Sequence, residues 1–237
     1  MNSSLVQGGL TNKGVINSGV DSGSGLLVEH STITGGINNA GTLKGADFGL
    51  FIENSQVTGG LVNSGTISGG SVDGVTIRNS QVSGGLTNTG SISGTQYALA
   101  ISSNSTVAGN ISNSGSIRGS TDGVRLGHGT IDGGVYNSGK IFADTNVALA
   151  AFGATITGGV TNSGLLLGVY GLVMHDGSAQ NIFNSGTIAG SSGGIGIYND
   201  TVTGGVRNQG IIRSSLDKHA ALLLKSKSVV SLSLIHI

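Results

Sequence analysis

The stretch GGLTNTGSISG at residues 84–94 indicates the fold, because close variants of it recur along the whole chain. Nine copies, each centred on N-x-G, run from GGLTNKGVI at residues 8–16 to GGVRNQGII at residues 204–212. Successive motif asparagines are 22 to 27 residues apart, and most intervals are 24 or 25. A repeat of this length indicates a solenoid in which each repeat forms one coil.

The apolar positions within each repeat predict β-strands. Leu86 lies two residues before the motif Asn88 and Ile92 lies four residues after it, and the other copies are aliphatic at the same places. Side chains that alternate in this way point to one face of a strand. With one more aliphatic residue, such as Val82, and a closing apolar pair, such as Leu99 and Ile101, each repeat is predicted to contain three short strands joined by bends.

This pattern predicts an all-β fold, a right-handed parallel β-helix (solenoid) of about nine coils with 24 to 25 residues each. A repeat of this length at about 3.3 Å per residue closes one coil with its aliphatic side chains inside. The right-handed sense is expected because parallel crossovers are right-handed in nearly all cases.

The motif asparagine has the same parity as the inward aliphatic residues, so its amide needs hydrogen-bond partners inside the fold. We predict a structural ladder in which each amide stacks on the next coil, and a ligand-binding amide row is the alternative. The glycine two residues later predicts a bend with positive φ or packing too close for a side chain. The predicted ladder consists of Asn12, Asn39, Asn63, Asn88, Asn113, Asn137, Asn162, Asn184 and Asn208.

The composition excludes several classes of function. The formal net charge is zero and only 9% of the residues are charged, so the chain lacks the basic surface that nucleic-acid binding requires. Cysteine is absent, which excludes disulfides, thiolate metal sites and cysteine nucleophiles. The metal spacings HxH and HExxH are also absent, and we predict no metal and no cofactor.

The GG-[LIV]-x-N-x-G motif, on a charge-poor chain rich in Ser, Thr, Asn and Gly, resembles the passenger domains of bacterial autotransporters (type V secretion). The resemblance covers residues 3 to about 229. It implies a secreted β-helix that crosses the outer membrane through a C-terminal β-barrel and is displayed at the bacterial cell surface as an adhesin or stalk. The implied partners are a host-cell receptor, a glycan or another surface passenger, with membrane contact only through the barrel, which this chain lacks.

Residues 1–229 are therefore expected to form one β-helix repeat domain from a longer passenger, since the first residues, MNSSLVQGGL, carry no secretory signal. After Lys227 the next motif does not arrive. The tail at residues 230–237 is predicted to leave the register, as a truncated reading frame or an artefact would.

An enzyme is the alternative, because polysaccharide lyases and glycoside hydrolases also occur on β-helices and need carboxylates about 5 to 9.5 Å apart. Aspartates recur seven to ten residues after the motif asparagine, where turns bonded to their own backbone are favoured over calcium binding or catalysis. The sequence therefore favours a non-enzymatic scaffold without catalytic residues. These aspartates are Asp21, Asp47, Asp73, Asp122, Asp144 and Asp217.

Charged residues are predicted on the outer face of the third strand, where Glu53 and Arg78 share one offset in consecutive coils and should form an ion pair. Arg78 or Arg125 could act as a lyase base, although no clustered calcium site accompanies them. His128 and Asp132 are the one close His/Asp pair in the sequence. The predicted outer set is Glu29, Glu53, Arg78, Arg125, His175 and Lys225.

The sequence contains residues for two possible recognition surfaces. Thr-x-Thr pairs such as Thr155/Thr157 and Thr201/Thr203 could form an ice-binding face, but intervening coils interrupt the array. Exposed aromatic residues lie at different offsets from the motif asparagine, so the sequence predicts that they form no row. They are Phe51, Tyr136, Phe142, Phe152 and Tyr198.

Overall fold

A computed structural model of the chain describes residues 3–19, 21–216, 219–230 and 234–235. In these residues 36 β-strands form three parallel sheets, and no helix is present. The fold is the all-β parallel β-helix that the repeat predicts. The right-handed sense of winding stays a prediction.

Sheets 1 and 2 each take one strand from every coil. Sheet 1 consists of Leu5–Val6, Thr32–Ile33, Gln56–Thr58, Gln81–Ser83, Thr106–Ala108, Thr130–Ile131, Thr155–Ile156, Ser178–Ala179, Thr201–Val202 and Val229–Val230. Sheet 2 consists of Leu10–Asn12, Ile37–Asn39, Leu61–Asn63, Leu86–Asn88, Ile111–Asn113, Val135–Asn137, Val160–Asn162, Ile182–Asn184, Val206–Asn208 and Leu234–Ile235.

Sheet 3 has 16 strands arranged in two arms. Arm 3a consists of Val15–Asn17, Thr42–Gly45, Thr66–Gly69, Ser91–Gly94, Ser116–Gly119, Lys140–Ala143 and Ile211–Ser214. Arm 3b consists of Ser24–Glu29, Phe48–Glu53, Val75–Arg78, Tyr97–Ser102, Asp122–Gly127, Val147–Phe152 and Leu222–Lys225. Two long strands, Leu165–His175 and Thr187–Tyr198, run through both arms.

A full coil contains four strand segments, so the sequence-based count of three was wrong. The segment that parity treats as one strand is split at residues 89–90 into Leu86–Asn88 of sheet 2 and Ser91–Gly94 of arm 3a. Val82 lies in a short strand of its own in sheet 1. Gly84 and Gly85 follow it with φ of 100° and 80°. Side chains disfavour this left-handed region, so the glycine pair ends one strand and turns the chain before Leu86.

The core is a single stack of inward aliphatic side chains. In one coil Val82, Leu86, Ile92 and Leu99 are at most 1% exposed. The coils are paired so that each motif residue lies beside its equivalent, for example Leu61 beside Leu86. Aliphatic side chains therefore stack on one another along the axis, which explains why aliphatic residues recur at fixed spacing.

Strand pairing continues into the described part of the tail. Leu234–Ile235 pairs in parallel with Arg207–Asn208, which puts Ile235 at the register position of a ladder asparagine. The sequence predicts that the tail leaves the register, but backbone pairing at these two residues does not require the motif side chains. The domain boundary at residues 229 and 230 stays a prediction.

Candidate functional site

The nine motif asparagines form one continuous row inside the solenoid. Asn63 Nδ2 donates to Asn88 Oδ1 at 2.7 Å, and Asn88 Nδ2 donates to Asn113 Oδ1 at 2.7 Å. The same bond joins each successive pair from Asn12 to Asn208, at 2.7 to 2.8 Å.

The amides of this ladder are occupied by the fold itself. Asn88 Nδ2 also contacts two backbone carbonyl oxygens, those of Gly90 and Ser116, both at 3.3 Å. Asn88 is fully buried. A buried amide whose donor and acceptor are both used stabilises the scaffold, so this geometry favours the structural interpretation over a ligand-binding row.

The motif glycines are explained by close packing. At Gly90 an added Cβ would overlap the carbonyl oxygen of Gly65 in the preceding coil, and Gly115 has the same relation to Gly90. Neither residue has a positive φ. The sequence left open a positive φ or packing too close for a side chain. The structure shows that close packing is the reason for these glycines.

Sequence reasoning missed a second polar column, made of buried serines at the corner before sheet 1. The backbone N–H of Ser31 donates to Ser55 Oγ at 3.0 Å, and that of Ser55 donates to Ser80 Oγ at 3.0 Å. Each hydroxyl in turn donates to a nearby carbonyl, as Ser55 does to Glu53 at 2.7 Å. The signal was present in the sequence, because Ser31, Ser55, Ser80 and Ser105 recur two residues before an inward aliphatic residue.

The predicted aspartates do not all occupy the same position in their coils. Asp73 and Asp122 share one register position, with Tyr97 in the coil between them. They are thus two strand spacings apart, or about 10 Å. Asp47 lies one position earlier, next to Val72. Asp21 and Asp144 are exposed, and Asp217 lies outside the described residues.

The buried aspartates bond mainly to neighbouring coils, so the predicted turns bonded to their own backbone were wrong for them. Asp73 accepts from the Tyr97 N–H at 3.0 Å and from the Thr76 hydroxyl at 2.6 Å. Asp122 accepts from the Val147 N–H at 3.0 Å, and Arg125 binds its other oxygen. The next coil is only about 4.8 Å away, so its N–H groups compete with local ones.

Asp200 occupies the serine column near the C-terminal end. Its Oδ2 accepts from the Gly177 N–H at 3.1 Å, the role that serine Oγ atoms have elsewhere. Its Oδ1 is buried and has no hydrogen-bond partner among the described residues, and the residue is 1% exposed. Burial raises the pKa of Asp200 above its usual value, because desolvation disfavours the carboxylate.

We expect Asp200→Asn to stabilise the protein at neutral pH by an amount that depends on pH. In the native state Asp200 keeps its proton where the unfolded chain has lost it, since its pKa is raised from 3.8. The contribution of this carboxyl to the stability of the wild type is therefore fully present below about pH 3.8, and it is lost as the pH rises through the native pKa. Urea unfolding from pH 3 to 8 should show the gap in unfolding free energy between variant and wild type widening as pH rises.

Asp176→Asn is the matched control, because the hydrogen bond from Asn199 lowers the pKa of that exposed carboxyl. The difference in unfolding free energy between Asp176→Asn and the wild type should change in the opposite direction with pH. An Asp200→Asn gap that stays constant across the range would contradict the proton assignment.

The prediction that the exposed aromatic residues form no row holds for Tyr136 in sheet 2 and Phe142 in arm 3a, but it was wrong for Phe152 and Tyr198. Phe152, His175 and Tyr198 lie side by side in successive coils of arm 3b. Their ring centroids are 6.0 and 5.9 Å apart. The offsets misled because the number of residues between the motif asparagine and this column varies: Phe152, His175 and Tyr198 lie 15, 13 and 14 residues after their motif asparagines.

We call this surface the outer aromatic face. It carries six of the nine Phe and Tyr residues of the chain, together with three basic side chains. The aromatic members are Phe48, Phe51, Tyr97, Phe152, Tyr170 and Tyr198, and the basic members are Arg78, Arg125 and His175.

Three rings of this face pack against apolar residues of arm 3b. Phe152, Tyr170 and Tyr198 cover a small apolar cluster formed by Val147 and its neighbours outside the main core. The Tyr198 ring occupies the space that a Cβ on Gly196 would need. Burial and the adjacent Tyr170 raise the pKa of Tyr198, so its hydroxyl remains a hydrogen-bond donor at neutral pH.

Cationic side chains join the rings of the outer aromatic face. The Arg125 guanidinium lies 4.1 Å from the Phe152 centroid and 5.6 Å from the Tyr97 centroid, within cation–π range. Arg78 lies 5.0 Å from the Phe51 centroid. The predicted ion pair between Arg78 and Glu53 is confirmed, at 2.6 Å.

The predicted proximity of His128 and Asp132 produces no hydrogen bond or ion pair among the residues that the structure describes. The His128 ring instead packs over Gly153 in the next coil.

Within the described ranges, no group of three or more His, Asp and Glu residues could hold a metal ion. No helix in the same part of the chain is long and apolar enough to cross a membrane. Comparison with known proteins gives no family: no family model, curated protein or solved structure matches this chain.

Proposed function

We propose that this chain is a non-enzymatic, surface-displayed scaffold of the autotransporter passenger type, an adhesin whose outer aromatic face binds glycans. The observation that carries the proposal is the row of Phe152, His175 and Tyr198, which lie side by side in successive coils of the solenoid. Aromatic rings offer large apolar faces, and Tyr adds a polar edge. The CH-rich faces of sugar rings pack on such surfaces while arginine and tyrosine hydrogen-bond their hydroxyls.

Display at the bacterial cell surface is carried over from the resemblance of the repeats to autotransporter passengers. It is supported by the charge-poor, cysteine-free composition. Brief protease treatment of intact cells that make the chain tests it: cleavage without lysis supports display, and protection until lysis contradicts it.

A double substitution, Phe152→Ala with Tyr198→Ala, is expected to weaken glycan binding about tenfold or more. Each stacked ring contributes on the order of 1 kcal/mol, and about 1.4 kcal/mol corresponds to tenfold in affinity. Affinity electrophoresis through gels containing neutral or uronic-acid polysaccharides would measure the change. Tyr136→Ala is the matched control, because this exposed tyrosine belongs to sheet 2; equal losses in both variants would contradict the assignment of the face.

A carbohydrate-active enzyme is the second candidate, favoured by one observation. A cavity of about 440 Å³ on the same face is lined by Asp73, Arg78, Tyr97 and Arg125, and burial raises the pKa of Asp73. Both Asp73 oxygens already accept hydrogen bonds, which leaves the carboxyl poorly placed for proton transfer. New reducing or unsaturated ends on incubation with pectin, lost in Asp73→Asn, would favour the enzyme over the scaffold.

A further inference from the structure

A column of polar residues marks the corner between arm 3b and sheet 1. Asn54, Asn79 and Asn104 occupy this corner in consecutive coils with φ of 48°, 47° and 58°. This left-handed conformation is one that asparagine tolerates better than most residues. The three asparagines therefore share a left-handed backbone conformation.

Asn104 differs from its neighbours in its hydrogen bonding. Asn79 Nδ2 donates to Asn54 Oδ1 at 2.5 Å, and Asn54 Nδ2 lies 3.3 Å from His30 Nε2. The Asn104 side chain has no such partner among the described residues, and it is exposed. Its backbone N–H donates to the His128 carbonyl at 3.0 Å, so the peptide is fixed while the amide is free.

An inserted residue explains this difference. Two residues separate Arg78 from Gln81, whereas three separate Ser102 from Thr106, although both pairs of ends are in register. Ser103 takes up the extra length with φ of 54°, next to the left-handed Asn104. The longer corner places the Asn104 side chain outside the row of hydrogen-bonded amides that Asn54 and Asn79 form.

The sequence at this corner is Asn104-Ser105-Thr106, an N-x-[ST] acceptor motif for N-glycosylation. At the equivalent corners Asn54 and Asn79 are followed two residues later by Gln56 and Gln81. Two further motifs begin in the described residues, and in each of them one atom of the asparagine amide is hydrogen-bonded. Asn110 Oδ1 accepts from the Gly134 N–H, and Asn199 Nδ2 donates to Asp176.

We propose that Asn104 is a site of N-linked glycosylation. A polar groove of about 430 Å³ adjoins it, lined by amides and hydroxyls that include Gln56, Asn79 and Gln81. These groups match the hydroxyls of a hexose, so the first sugar lies in the groove. In the transfer, Asn104 Nδ2 bonds to the anomeric carbon of a nucleoside-diphosphate sugar, the carbon–oxygen bond to the diphosphate breaks, and an amide proton passes to a base of the transferase.

Incubating the folded chain with a soluble asparagine glycosyltransferase and a nucleoside-diphosphate hexose tests the proposal. Intact-mass and peptide analysis should find one hexose on Asn104 and none on Asn79. Asn104→Gln should abolish the adduct. Thr106→Val keeps the branched shape but removes the hydroxyl, and should reduce modification at least tenfold with an unchanged circular dichroism melt.

A Gln81→Thr variant distinguishes the effect of the sequence motif from that of the free amide. It supplies the motif hydroxyl at a corner where the Asn79 amide is already hydrogen-bonded. Modification of Asn79 in this variant should be much slower than that of Asn104. The proposal is overturned if Asn104 stays unmodified in the folded chain under conditions in which the urea-unfolded chain acquires the hexose there.

Discussion

Gly90→Ala is expected to destabilise the solenoid by about 3 kcal/mol or more, although it adds a single methyl group. The new Cβ would overlap the carbonyl oxygen of Gly65 and the backbone of Ser64. Overpacking usually costs about 1 to 3 kcal/mol when side chains can adjust. Here the obstacle is backbone in a hydrogen-bonded coil, which cannot move without separating neighbouring strands.

Gly14→Ala is the matched control at the same motif position. In the first coil an added Cβ has no atom within 4 Å, and Gly14 has no positive φ. Alanine should therefore be neutral or stabilise by about 0.4 to 1 kcal/mol through the unfolded state. Guanidinium unfolding followed by circular dichroism would measure both variants, and equal effects would show that the glycine column is not required by packing.

The repeat allowed much of the interior to be predicted from sequence, because stacking makes every inward position a column of like residues. Leu86, Asn88 and Ile92 each lie beside their equivalents in the next coil. The spacing of the repeats in the sequence therefore predicts which residues lie side by side in neighbouring coils. The prediction failed for the number of strands, since a bend at residues 89–90 divides Leu86–Asn88 from Ser91–Gly94, a segment that parity alone treats as continuous.

The outer surface could not be predicted in the same way. Outward residues have no partner that fixes their identity from coil to coil, and coil length varies. Phe152 and Tyr198 lie 15 and 14 residues after their motif asparagines, yet they share a column with His175. The serine column was missed for another reason: serine is common in turns, so its burial was visible only in the folded chain.

Asn88→Leu is expected to cost about 2 to 5 kcal/mol, a large part of the about 5 to 15 kcal/mol that stabilises a typical domain. Leucine removes the acceptor of the Asn63 amide and the donor to Asn113 Oδ1. It also removes contacts to two backbone carbonyls. A buried polar group left without its partner costs about 1 to 3 kcal/mol, and the gain from one buried leucine does not offset several such losses.

Two controls separate the ladder from general effects of substitution. Thr87→Val changes the exposed neighbour on the same strand and should leave stability nearly unchanged. Asn12→Leu alters the first rung, which is partly exposed and bonds to one asparagine, Asn39, so its cost should be smaller than that of Asn88→Leu. If Asn88→Leu unfolds at the same denaturant concentration as Thr87→Val, the aliphatic stack alone holds the coils together, and the amide row would again be open to a ligand-binding role.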